Sequence, residues 1–257
     1  MRAAPLILFF FGTVFSQMTG REIMEKMDAQ PEPETVISTS RMSLVKIRKG
    51  KERKRIREVK RHQKYYEEGE FDTKSMIRFL KPADVKGTGF LMWEYRDPEK
   101  EDNQWLYLPA LKKVKQIAGN QKTESFMGSD FTYEDMEGRS IDEDTFTLLG
   151  EEVIFGESCY KVESVPIGED ESYTKRIVWI SKENWTLRKV EYYDKRRNLF
   201  KVLTVPEHHQ DGDYWNVDKM IMENVQKSHK TVLELSDVEY DREIKDSFFT
   251  ERFLKRE

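Results

Sequence analysis

The chain has 257 residues, 36% charged and 37% hydrophobic, with a formal net charge of −4. Fifteen Phe, eleven Tyr and five Trp supply bulky apolar area, which excludes a solvated, disordered chain. A single cysteine, Cys159, excludes an internal disulfide, so a core and not a set of staples must hold the fold.

The N-terminus has the form of an export signal. Arg2 gives a positive start, Leu6 to Phe15 is an apolar run of ten residues, and Val14 and Ser16 take the small-residue positions before a cut ahead of Gln17. The run is shorter than the roughly 20 residues that a membrane helix needs. An uncleaved anchor or a buried helix is the alternative. The expected division is a signal peptide over 1–16 and one domain over 17–257.

After the signal, Thr19 and Glu22 form a capping-box pattern, and Ile23, Met24 and Met27 follow at helical spacing. This predicts a helix over Gly20 to Ala29, stopped by Pro31 and Pro33. The period then changes to that of strands. Segments rich in Thr, Val, Ile and aromatics run from Thr35 to Leu108 and on to Ala118, each closed by Gly, Pro or Asp turn chemistry. Ser129 to Asp135 begins with an N-cap residue and carries early acids, predicting a short helix. Strands resume at Thr145. Thr145–Leu149 and Glu152–Phe155 read as two of them, and a meander and a last hairpin end at Tyr240. Ser247 to Leu254 closes the chain as a helical turn. The total is about eleven strands with short links, which implies antiparallel pairing. A sheet this large curls instead of staying flat. The expected class is mainly β: a single curved antiparallel sheet with a few covering helices.

A search for chemistry finds no convergent catalytic set. Ser125 to Ser129 lacks the glycine pattern of a nucleophile elbow. His208 and His209 sit in a segment that reads as a solvated turn, and adjacent strand residues point to opposite faces, so they do not chelate one ion. Asp142 to Asp144 lacks EF-hand spacing and reads as a solvated acidic loop. Cys159 reads as a small buried strand residue. No enzyme activity, catalytic residue, metal or cofactor is expected.

Charge is unevenly distributed. Lys46 to Lys64 holds eleven Lys or Arg against Glu52 and Glu58, and Glu134 to Glu152 holds eight acids against Arg139. The basic run reads as a charged edge strand that resists aggregation, or as a contact for anionic lipid headgroups or an acidic partner. A nucleic-acid partner is not expected of an exported protein whose aromatics are not interleaved there.

Gly89 to Tyr95 places Leu91, Trp93 and Tyr95 on one face and Phe90 and Met92 on the other. Trp105 and Tyr107 share a face of the next strand. These positions are either ordinary core or the wall of an apolar cavity.

The segment WLYLPALKKV, Trp105 to Val114, followed by FMGSDFTYED, Phe126 to Asp135, resembles the LolA-like outer-membrane lipoprotein-sorting protein family of Gram-negative bacteria. Gly87 to Leu91 and Asp97-Pro98 fit the same pattern, and Gln116 stands where the family often carries a basic residue. The likeness is close over about Lys81 to Asp135 and covers the rest in organisation. It implies an unclosed barrel (a half-barrel) lidded by helices, with an apolar interior for acyl chains, that moves lipids or lipoproteins through the periplasm towards the outer membrane. On that basis the expected cavity or lid residues are Leu91, Trp93, Tyr95, Trp105, Tyr107, Phe126, Met127 and Phe131. The expected lid segments are Gly20–Ala29 and Phe126–Met136. The expected partners are acyl chains, an inner-membrane exporter, and an anionic membrane surface at Lys46–Lys64. The alternative is a non-transporting interaction module, or an accessory subunit of a resistance-nodulation-division type lipid exporter.

Overall fold

The structure, a computed structural model, describes residues 18–168 and 171–256. The apolar run and cut site assigned to the signal peptide lie outside the described residues. Thirteen strands make one sheet: β1 (Thr35–Arg48), β2 (Lys51–Tyr65), β3 (Phe71–Lys81), β4 (Gly89–Tyr95), β5 (Asn103–Leu108), β6 (Lys113–Ile117), β7 (Asp144–Ile154), β8 (Glu157–Pro166), β9 (Lys175–Ser181), β10 (Leu187–Tyr193), β11 (Leu199–Asp211), β12 (Tyr214–Asn224) and β13 (His229–Tyr240). Two helices accompany them, α1 (Gly20–Asp28) and α2 (Glu251–Leu254). The spatial order is β6-β5-β4-β3-β2-β1-β13-β12-β11-β10-β9-β8-β7, and each pair is antiparallel. Two meanders therefore meet where β1 pairs with β13. The edges β6 and β7 are not paired with each other, so the barrel is unclosed.

This order has a consequence for the site. Residues 118–143 must carry the chain from one edge of the sheet to the other, and they do so across one face. Four short 3₁₀ turns mark the route, at Gly119–Thr123, Phe126–Gly128, Glu134–Met136 and Ile141–Glu143. The helix predicted over 129–135 is not formed. Met127 sits at φ 51°, and Asp135 uses its carboxylate to hold the Thr132 amide instead of a helical turn.

Other expectations are adjusted by register. The expected strands Thr145–Leu149 and Glu152–Phe155 merge into one strand, β7, which ends at Ile154 and has a bulge at Gly150, whose φ of 138° suits only glycine. The segment Pro206–Gly212, expected as a turn, is strand as far as Asp211. Pro206 falls where the β11–β12 register shifts, so its missing N–H costs no ladder bond. The basic strand β2 is an interior strand between β1 and β3, not an edge. α1 is as read, with both halves of the Thr19–Glu22 capping box made.

Alternation divides the sheet into two apolar faces. The inner face gathers Met42, Leu44, Val59, Phe79, Phe90, Met92 and Leu106 from one meander, with Val162, Ile180, Val190, Leu203 and Met222 from the other. The outer face holds Met76, Leu91, Trp105 and Tyr107 beneath Ile244, Phe249 and Leu254 of the C-terminal segment.

Candidate functional site

The inner face and its cover form the candidate site. On one half of the sheet, Phe126 drops from the 118–143 segment onto Phe90 and Phe79, with ring centroids 5.1 and 6.1 Å apart, and Tyr133 closes the group at 5.5 Å from Phe126. Phe131 is buried in the same cluster, and Met127 and Met136 pack at its margin. On the other half, α1 buries Ile23, while Met24 and Met27 lie half-exposed against the sheet. Gly20 allows this approach: a Cβ there would come within 2.9 Å of the backbone of Phe146 and Thr147. Arg21 reaches Asp142 at 2.6 Å and joins the two parts of the cover.

Polar anchors fasten the cover to the sheet. Lys201 points from β11 into the inner face with its side chain fully buried, and its ammonium pairs with Asp135. Asp135 also accepts from Tyr173 Oη at 2.9 Å and from the Thr132 amide at 2.7 Å. Burial pulls the Lys201 ammonium below its ordinary value despite Asp135, and burial pushes the Tyr173 hydroxyl up. A second anchor joins Asp130 to β13: its amide donates to Thr231 Oγ1 at 2.9 Å, and its carboxylate meets His229 Nδ1 at 2.7 Å. A third runs through β5, where Gln104 Nε2 donates to the Tyr133 carbonyl and to Glu137, each at 2.9 Å. Burial pushes the Glu137 carboxyl up to about 7, although Lys122 lies 2.8 Å away. From β2, Arg57 donates to the Met127 carbonyl.

The expected site residues fall into two groups on opposite faces. Phe126, Met127 and Phe131 belong to the cover of the inner face. Leu91, Trp93, Trp105 and Tyr107 lie on the outer face, where Trp93 Nε1 donates to the Phe249 carbonyl at 2.9 Å and Trp93 meets Trp105 edge-on at 4.8 Å. The Tyr95 ring lies tilted against Phe71 at 5.0 Å, and its hydroxyl accepts from Asn103 at 2.6 Å. The residues of those strands that lie beneath the cover are Phe90, Met92 and Leu106.

Of the segment Asp142–Asp144, expected as a solvated loop, Asp142 is exposed but Asp144 is not. Asp144 is buried and bonded to Arg139 at 2.6 Å, and Glu134 accepts from Ser172. Cys159 is buried. His208 is half-buried and faces Glu157 at 3.1 Å. Sequence reasoning missed Lys201, yet it left a signal: Leu199, Lys201, Leu203 and Val205 share one strand face, and a lysine in that apolar series requires a buried partner.

The space beneath the cover is taken by the protein's own side chains. A cleft of about 270 Å³ opens at its rim, lined by Lys46, Ser129, Asp130, Phe131, Lys227 and His229 among others. Another of about 460 Å³ lies between Pro31 and Trp215. Among the described residues no helix is long and apolar enough to cross a membrane, and no group of His, Cys, Asp and Glu is placed to hold a metal.

Known proteins share this arrangement. A family described as "uncharacterized protein" matches residues 71–256. No curated protein matches the chain. A DUF1329 family protein from Desulfovibrio piger superimposes with a TM-score of 0.84 at 32% identity, over 91% of this chain and 97% of that one. A domain named for outer membrane lipoprotein sorting, from Vibrio parahaemolyticus, gives 0.85 at 33% identity, over 92% and 98%. A LolA superfamily protein from Nitrosomonas europaea shares the fold, with a TM-score of 0.70 at 18% identity, over 92% of this chain and all of that one. With this sheet order, this cover and these relatives, the chain belongs to the family of the outer membrane lipoprotein-sorting domain of V. parahaemolyticus and the DUF1329 protein of D. piger, on a fold shared with the LolA superfamily.

Proposed function

We propose that the protein is a non-enzymatic periplasmic carrier that takes an acyl chain of a lipid or lipoprotein onto the inner face of its sheet, for transfer towards the outer membrane. The observation that carries this reading is the cover. It is a non-covalent strap of short turns and one nine-residue helix, laid over an apolar face that spans both meanders. Met24, Met27, Met127 and Met136 line it, and methionine side chains repack readily around a guest.

Burial contributes about 0.8 kcal/mol per CH₂, so one long chain gains on the order of 10 kcal/mol. A carrier must also release its cargo. Because Phe126, Phe131 and Ile23 are buried against the inner face, a guest has to displace them, and their lost contacts offset part of the gain. Cargo entry then requires the anchors at Asp130 and Asp135 to give way. The expected export signal over 1–16, cut near Ser16, would deliver the chain to the periplasm.

The filled inner face also favours a second reading, that of an interaction module or accessory subunit of a resistance-nodulation-division type lipid exporter, with no cargo of its own. Native mass spectrometry after gentle purification separates the two. The carrier reading expects an adduct with the mass of an acylated lipid, and displacement of a fluorescent fatty acid by it. A clean apo mass with no fatty-acid uptake would sink it.

A further inference from the structure

The two ends of the sheet differ in charge. β1 and β2 run past their neighbours: β2 pairs with β3 only from Glu58 onward, and β1 meets β13 only up to Lys46. Residues 46–57 therefore form a two-stranded ribbon with exposed side chains up to Ile56. Its faces follow from register. Met42 and Leu44 belong to the inner face, and their partners are Arg57 and Arg55. The next pairs on that face are Lys46–Arg53 and Arg48–Lys51. All six positions that continue the inner face outwards are thus cationic. Lys46, Arg48, Lys51, Arg53 and Arg55 have no ion-pair partner among the described residues. Like charges placed directly opposite destabilise a hairpin, and protecting a free edge does not require this arrangement.

Other connections at the same end repeat the sign. The β10–β11 turn holds Lys195-Arg196-Arg197 after Asp194, the β5–β6 turn Lys112 next to Lys113 of β6, and the β12–β13 turn Lys227. Two connections at this end do not share the sign: β3–β4 balances Asp84 with Lys86, and β8–β9 is acidic, with Glu169, Asp170 and Glu171, of which Glu171 is paired with Arg139. At the opposite end two turns are rich in acids: Glu67, Glu68 and Glu70 lie between β2 and β3, and Asp97, Glu99, Glu101 and Asp102 outnumber Arg96 and Lys100 between β4 and β5, while the β7–β8 and β9–β10 turns carry no net charge. Large apolar side chains also stand exposed at the cationic end. Ile47, Leu111 and Val225 occupy the ribbon and two of its turns, at 41%, 63% and 40% exposure.

We propose that this end is a docking surface for an anionic phospholipid bilayer, with the ribbon 46–57 and the neighbouring cationic turns on the headgroups and the apolar tips dipping among them. Cations spread over several separate turns suit a plane of phosphates better than a single acidic groove, and apolar tips between them match shallow insertion. The cleft of about 270 Å³ beside the cover opens at this same end, with Lys46, Lys227 and His229 in its wall. Docking therefore turns the rim of the cover towards the lipid. That last step rests on the carrier reading; the docking surface does not.

The test is flotation of the delipidated protein with vesicles of phosphatidylglycerol and phosphatidylethanolamine, roughly 30% anionic, against pure phosphatidylcholine vesicles. Binding to the anionic vesicles is expected to be at least about tenfold stronger, and to fall on raising salt from about 50 to about 500 mM. Arg48→Glu/Lys51→Glu/Arg53→Glu, folded by circular dichroism, is expected to lose about tenfold or more, and Leu111→Ser to weaken binding further. Glu67→Gln/Glu68→Gln/Glu70→Gln at the other end is expected to bind like the wild type. Equal binding to both vesicle types, no binding to either (as for a surface that serves an acidic protein), or an unaffected ribbon variant would overturn the inference. A protein that docks but takes up no fatty acid keeps this inference and loses the carrier reading.

Discussion

Lys201 and Asp135 are the residue pair on which the cover depends. An ammonium with no exposed surface is tolerated because Asp135 stands against it. Asp135→Asn removes the compensating charge and leaves the lysine stranded, which should cost about 3–5 kcal/mol. An unfolding free energy from urea titration that falls by less than about 1 kcal/mol would contradict this. Replacing both, Asp135→Leu with Lys201→Met, should restore only part of the loss, since the two buried charges leave together but Tyr173 Oη and the Thr132 amide still lose their acceptor. Glu137 makes a different prediction. Its folded carboxyl titrates at about 7 against an ordinary 4.5, because burial disfavours the charged form. The folded state therefore holds the proton more tightly than the unfolded chain. This contribution to stability is present below pH 4.5 and is lost as pH rises through about 7. Urea unfolding of Glu137→Gln at pH 5 and pH 7.5 should show a smaller difference than the wild type.

At the scale of elements, the cover is a crossing segment held by side chains. The Asp130 amide lies 2.9 Å from Thr231 Oγ1, so these two positions are close enough for a paired cysteine replacement. Asp130→Cys/Thr231→Cys, when oxidised, should block uptake of a fluorescent fatty acid, and reduction should restore it. Cys159 is buried and remains outside the exchange. Equal uptake in the oxidised and reduced forms would show that cargo does not enter beneath the 118–143 segment. On the outer face, the C-terminal segment plays the matching structural part, burying Phe249 and Leu254 against Leu91 and Trp105.

At the scale of the whole molecule, the sheet is completed by strands far apart in sequence. Val36 lies beside Tyr240, and β1 joins the two meanders through β13. Loop closure over that separation must precede any reward from pairing, so refolding should be slow. Refolding from urea, followed by tryptophan fluorescence, is expected to take seconds or longer, and a single millisecond phase would argue that the meanders fold without each other. The same order sets the charge separation, because alternate turns of a meander lie at opposite ends. Basic turns separated by scores of residues thus gather at one end.

Local chemistry was legible in the residues themselves. The capping box specified α1, alternation specified most strands, and the apolar Leu199–Val205 face held a lysine whose partner had to exist. Aromatic content marked β4 and β5, but alternation alone assigns two faces without saying which is covered; hence Trp93 and Trp105 fall on the outer side and Phe90 and Met92 beneath the cover. Likewise the basic run lay open to view, while its interior place in the sheet and the single-signed face of its ribbon came only from register. Period and caps act between residues a few positions apart and are written in the chain. The pairing of β1 with β13 and the path from β6 to β7 are global choices, and only the tertiary structure decides them.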